Sequence, residues 1–144
     1  MADRPPVSIL FACTTHAVRS PMAAARLRQR LGREVRIASA GVRRGEADAF
    51  AVAVMAEIGI DLSQEEGPKT FEDLQADRFD LVIALSPEAH QPARRFAAAV
   101  EFWPMPDATQ AHGNREQRVA AYREVRDMLR RRIIEYFAVL RQDE

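Results

Sequence analysis

Cys13, Arg19, Ser20 and Asp107 are the residues whose types and spacing could do covalent chemistry in this chain. Cys13 closes an apolar run, five residues follow, and Arg19, Ser20 and Pro21 then open an alanine-rich segment. Such a stretch reads as strand, tight loop and helix N-terminus. Ser20 is expected to cap the first turn, with Pro21 at the first helical position, where its missing N–H costs nothing. Loop N–H groups and the positive end of the helix dipole would converge on the mouth of the loop, which makes it an anion site. A cysteine held there is biased toward thiolate, and the thiolate is the nucleophile. Arg19 offers a planar fork able to hold two oxygens of a phosphate or similar oxyanion. The plainer reading makes Cys13 a buried small hydrophobe at a strand end.

The elements that must position these residues follow from periodicity. Residues 1–6 are polar and proline-bearing and are expected to form a disordered lead. Val7 to Ala12 predicts a strand buried on both faces, and Ser20 to about Leu31 a helix with Met22, Leu27 and Leu31 inward and Gly32 as its stop. Residues 34–41 predict a second strand, carrying Ser39 toward the edge where doubly wound sheets bind ligands. Apolar spacing over 47–58 predicts a helix with Phe50, Val54 and Ile58 inward, Phe50 being a core residue before a substrate wall. Thr70 and Asp73 have the spacing of a capping box.

Asp80 to Leu85 predicts a third strand, Ser86-Pro87 an ordinary strand-to-helix junction without catalytic meaning, 89–99 a helix and Val100 to Trp103 a fourth strand. A proline-stiffened loop through Asp107 leads to one long amphipathic helix from Asn114 to about Arg141, with Val119, Tyr122, Val125, Leu129, Ile133, Phe137 and Leu140 on its apolar stripe. Strands alternating with helices imply an α/β fold, a four-stranded parallel sheet with right-handed crossovers. With 144 residues and no linker, residues 1–144 are expected to form a single domain.

Basic and acidic residues balance at 21 each, so net charge points to neither nucleic acid nor membrane as partner. No apolar run has the length of a membrane span, and the polar start is no signal peptide, so a cytoplasmic protein is expected. No Cys/His pair has metal-ligand spacing, and no nucleotide motif is present, so neither metal nor cofactor is expected. The single cysteine excludes an intrachain disulfide. It also excludes any reduction that resolves a cysteine adduct with a second cysteine of the same chain.

The run Cys13-Thr14-Thr15-His16-Ala17-Val18-Arg19-Ser20-Pro21-Met22-Ala23 resembles the signature of the low-molecular-weight protein tyrosine phosphatases, a family related to one class of arsenate reductases. The resemblance spans nearly the whole chain. It implies a phosphate loop between the first strand and the first helix, formed by Thr14, Thr15, His16, Ala17, Val18, Arg19 and Ser20. It makes Cys13 the nucleophile, Arg19 the phosphate clamp, Ser20 the partner of the thiolate and Asp107 the general acid, or else only an aspartate that initiates a turn. Ser39 becomes a supporting residue, or else only a small residue for a tight turn.

Departures from the family pattern accompany the match. Thr15 and His16 stand where the family has glycine and asparagine, and Gln64 where it has a supporting histidine. His16 is read as shaping the loop before acting as an acid or base. Ala108 follows the aspartate in place of proline. Thr14, Ala108 and Thr109 occupy the places of the aromatic walls that select phosphotyrosine.

The activity implied is hydrolysis of a phosphate ester, from a phosphorylated protein or a small molecule, through a cysteinyl-phosphate intermediate, with affinity for inorganic phosphate. The rivals are arsenate reduction with an external thiol and a catalytically weak phosphate-binding or phosphoprotein-binding module.

Overall fold

In the computed structural model, residues 8–16, 18–32, 35–64, 69–74 and 79–138 are described. Strands β1 (Ser8–His16), β2 (Arg36–Arg44), β3 (Phe79–Ala84) and β4 (Ala97–Phe102) alternate with helices α1 (Arg19–Leu31), α2 (Ala49–Ala56), α3 (Pro87–Ala93) and α4 (Arg115–Tyr136). All pairings are parallel, in the order β2-β1-β3-β4. Strand order therefore reverses at β1 and β3, and the carboxyl ends of those two strands flank the crevice where such sheets bind ligands.

Period-two alternation divides the central strands between two packed faces. Ile9, Phe11, Cys13, Leu81 and Ile83 lie in one cluster with Met22 and Leu27 of α1 and with Val125, Leu129 and Ile133 of α4. Leu10, Ala12, Val82 and Ala84 lie in the other, with Ala89 and Ala93 of α3. Cys13 thus shares its face with Ile9 and Phe11, toward α1, because the three positions share parity along β1.

Several boundaries differ from the sequence reading, among them β2, which runs Arg36–Arg44 rather than over 34–41, and α2, which spans Ala49–Ala56 rather than 47–58. The apolar run ends at Ala12, but β1 continues to His16, with Thr15 opposite Arg43 and His16 opposite Arg44. Thr14 and Thr15 are β-branched and suit an extended backbone. The stretch from Cys13 to Arg19 contains no glycine, and no described non-glycine residue has positive φ. The expected helix over 89–99 stops at Ala93, and β4 begins at Ala97 rather than Val100. Alanine's helix propensity is a weak preference, and here Ala97 and Ala99 pair with Phe79 and Leu81. Finally, α4 ends at Tyr136, while Leu140 and Arg141, like Val7 and the lead 1–6, lie outside the described residues.

Three local signals hold. Gly32, at φ 75°, closes α1 and donates its N–H to Arg28 O. Thr70 N–H donates to Asp73 Oδ2 at 2.8 Å and Asp73 N–H to Thr70 Oγ1 at 3.3 Å, capping a single short turn over Glu72–Leu74. The stripe from Val119 to Phe137 is buried as its spacing predicts. Among the described residues, no helix is long and apolar enough to cross a membrane.

Candidate active site

Cys13 lies in the outer half of β1, opposite Gly41 of β2, and is fully buried. Its Sγ stands 3.1 Å from Ser20 Oγ, and the thiol donates to Thr15 O at 3.0 Å. Ser20 also donates to Ala40 O at 3.2 Å. The hydroxyl has one proton and two acceptors, so it can turn from Ala40 to sulfur when the thiol ionises.

That position corrects the expectation that Ser20 caps α1. The cap residue is Val18, with no side-chain cap bond, and Ser20 is the second residue of the helix, with its hydroxyl engaged at the cysteine. Pro21 is accordingly third rather than first, still among the N–H groups that lack an intrahelical partner.

Arg19 is buried at the start of α1 and donates from Nη1 to Met105 O at 3.2 Å. Met105 belongs to the segment that continues past β4, where Trp103 N–H donates to Ala84 O at 2.8 Å and Met105 N–H to Leu85 O at 3.0 Å. The arginine is thereby tied to the loop that carries Asp107 two residues further on. Asp107 is exposed and caps the turn Ala108–Gln110. Its Oδ1 accepts from Thr109 N at 3.0 Å and from Thr109 Oγ1 at 2.6 Å. The structure thus gathers Cys13, Arg19 and Ser20 at one strand-to-helix junction and ties the Asp107 loop to it through Arg19.

Thr14 faces the opposite side of the sheet. Its hydroxyl lies 2.8 Å from Ser86 Oγ and donates to Glu88 Oε1 at 2.8 Å. Sequence reasoning gave Ser86 no chemical meaning and overlooked Glu88. The available signal was their place just beyond β3, beside β1 at the reversal of strand order. Thr15 is half-buried in β1, Val18 is buried, and Ser39 is buried in β2 beside Phe11. Ala17 and the side chains of His16 and Gln64 lie outside the described residues.

A second group lies toward α4. Asp48 caps α2, its Oδ1 accepting from Phe50 N at 2.8 Å and Ala51 N at 3.1 Å, while its Oδ2 accepts from the Tyr122 hydroxyl at 2.7 Å. The sequence reading began this helix at Ala47 and missed the cap, although an aspartate just before an apolar run is a capping signal. Burial first, then the Asp48 carboxylate, pushes the Tyr122 hydroxyl above its ordinary value of 10.0. The folded state therefore holds this proton more tightly than the unfolded chain does. The resulting stability is complete below pH 10.0 and is lost as pH rises past it. Tyr122→Phe is expected to cost about 1 kcal/mol at neutral pH and to flatten the alkaline fall in stability, read from urea unfolding across that range; Tyr136, also raised by burial, keeps its own share.

Comparison with known proteins places this geometry among others. Residues 8–144 match the family described as low molecular weight phosphotyrosine protein phosphatase. The chain is 32% identical over 130 residues to an arsenate reductase of Bacillus subtilis, covering 89% of this chain and 93% of the relative. It is 34% identical over 127 residues to an arsenate reductase of Halalkalibacterium halodurans, covering 87% and 91%. Among solved structures it resembles an arsenate reductase in the phosphate-binding state, with TM-score 0.76, 25% identity and coverage of 91% and 96%. It shares its fold with the tyrosine phosphatase of Escherichia coli K30 in complex with sulphate, with TM-score 0.70, 24% identity and coverage of 92% and 99%.

Proposed function

This chain belongs to the low molecular weight phosphotyrosine protein phosphatase family, an enzyme family that also holds its arsenate-reductase relatives, and from that premise we propose that it hydrolyses phosphate monoesters through a cysteinyl-phosphate intermediate on Cys13. One observation carries the choice: Cys13 is the only cysteine in the chain. Displacement at phosphorus needs one thiolate. Reduction of arsenate to arsenite takes two electrons and so two thiols for each disulfide formed, and this chain supplies one of them.

The roles follow from position. Ser20, 3.1 Å from the sulfur, donates its hydroxyl to the thiolate. Arg19 turns its fork from Met105 O to two oxygens of the phosphate, and the N–H groups of Thr14, Thr15, His16, Ala17 and Val18 close around the third as the end of β1 leaves the ladder with β2. Ser39 supports the turn from β2. Asp107 protonates the leaving oxygen, and the sulfur–phosphorus bond forms as the phosphorus–oxygen bond breaks. Asp107 then takes a proton from the water that attacks phosphorus and restores the thiolate. A reduced thiol is needed throughout, which suits a cytoplasmic enzyme acting on phosphorylated proteins or small phosphate esters.

A second reading has its own support: the curated relatives named above are arsenate reductases at 32% and 34% identity. In it, Cys13 attacks arsenic and an external thiol, such as glutathione or a thioredoxin, supplies the second sulfur.

Rapid-quench mixing with a labelled aryl phosphate separates the two. Label trapped on Cys13 during steady turnover is the expected result. A parent protein that neither releases nor traps phosphate, yet forms arsenite when an external thiol is added, overturns the phosphatase reading in favour of the second.

A further inference from the structure

The flank of the site next to Asp107 is built by α2 and the first turns of α4. Phe50 is half-buried in α2, its ring centroid 5.3 Å from that of Tyr122. The guanidiniums of Arg115 and Arg118 lie over the same ring, 5.3 and 5.0 Å from its centroid. Both arginines are exposed, and among the described residues neither has a carboxylate at ion-pair distance.

Further along α4 the pattern differs. Arg123 pairs with Glu57 at 2.7 Å, and Arg126 with Glu57 at 2.8 Å and Asp127 at 2.9 Å. The first turns therefore hold two unneutralised charges whose freedom is already reduced by stacking, which lowers the entropic cost of using them in binding.

These charges lie on the side to which a departing group would extend. Helix α4 packs on the turn Ala108–Gln110, which Asp107 caps. Asp107 and Arg118 are both near enough to Tyr122 for their charges to bear on its hydroxyl, in opposite directions. A leaving oxygen that takes its proton from Asp107 must sit beside it, so the remainder of the substrate passes over this rim.

We propose that Arg115 and Arg118, seated on Phe50, form a specificity subsite for phosphate esters whose alcohol portion carries a second negative charge; this rests on the phosphatase reading given above. Each guanidinium can hold a carboxylate or phosphate through two parallel hydrogen bonds. Selection by charge would stand where the family's selection by aromatic stacking is absent, at Thr14, Ala108 and Thr109. A peptide with acidic residues beside the phosphorylated side chain and a small diacidic ester present the same chemistry.

The test compares kcat/KM within two substrate pairs of matched leaving group. One pair is a phosphotyrosine peptide flanked by glutamates and its glutamine-flanked counterpart. The other is the phosphate ester of para-hydroxyphenylpropionate and its neutral amide. The parent is expected to prefer the charged member by about three- to tenfold, through KM, with the preference shrinking as salt rises. It should vanish in the double variant Arg115→Met/Arg118→Met and invert in Arg118→Glu.

A preference confined to the peptide pair identifies an acidic phosphoprotein as the source of the charge, and one seen in both pairs a general demand for a second anion. Equal kcat/KM within both pairs for the parent, or a preference that survives the double substitution, overturns the subsite and leaves the phosphatase reading standing. Failure of the parent to hydrolyse any of the four overturns the reading beneath it.

Discussion

Cys13→Ser is expected to lower turnover of aryl phosphates by a factor on the order of 10⁴ or more, while the protein stays folded and still binds inorganic phosphate. The substitution is nearly isosteric, so the buried site in β1 keeps its shape and its contact with Ser20. What changes is acidity. A thiol ionises near neutral pH under modest electrostatic help, whereas a serine hydroxyl needs a base to remove its proton. The Ser20 hydroxyl and Thr15 carbonyl beside it cannot serve as that base.

The measurement is phosphate release under single and multiple turnover, with circular dichroism to check the fold and equilibrium dialysis to check phosphate binding. A serine variant that turns over at the parental rate would show that water attacks phosphorus directly and that the cysteine is a core residue. A parent as inert as the variant, but with undiminished phosphate binding, would describe a phosphate-binding module instead.

The second large effect is expected at Asp107. Asp107→Asn should slow the first chemical step by about 10²- to 10⁴-fold for alkyl and unactivated aryl esters, and much less for para-nitrophenyl phosphate, whose phenolate departs without a proton. Asparagine keeps the oxygen that accepts from Thr109 N–H and Thr109 Oγ1, so the turn over Ala108–Gln110 and the tether from Arg19 to Met105 persist. The difference between the two substrate classes then reports the proton alone. Pre-steady-state bursts over a series of leaving groups give the measurement. A steeper dependence on leaving-group basicity in the variant supports the assignment. A uniform loss across the series would mean that Asp107 holds the loop and another group donates the proton.

Much of the positioning machinery was legible from local chemistry. The alternation of apolar runs with helical spacing is enough to order four strands and four helices, because each element must bury one face or one stripe whatever its neighbours are. Gly32 at the end of α1 and the reciprocal bonds of Thr70 and Asp73 are decided within a few residues, and both stand as their residue types require. The stripe from Val119 to Phe137 is likewise intrinsic to a helix of 3.6 residues per turn.

The remainder depended on partners distant in sequence. Ser20 has the chemistry of a cap, yet folding brings Cys13 and Ala40 to its hydroxyl and starts the helix two residues earlier. Ala97 to Ala99 have a helix former's composition, but a free edge on β3 recruits them as strand. Thr14 finds Ser86 and Glu88 72 and 74 residues away, and Tyr122 finds Asp48 across 74. Arg19 reaches Met105 across 86.

By itself, then, the sequence determined the α/β class, the strand-to-helix junction that holds the cysteine and arginine, and the faces each element must bury, since these follow from residue type and short-range geometry. Only the tertiary structure decided how far β1 runs, that Thr14 meets Ser86 and Glu88, that Arg19 holds the Asp107 loop, and that Phe50 lies beneath Arg115 and Arg118. Those outcomes rest on hydrogen bonds, strand pairing and ring contacts between segments that meet only after the sheet has formed.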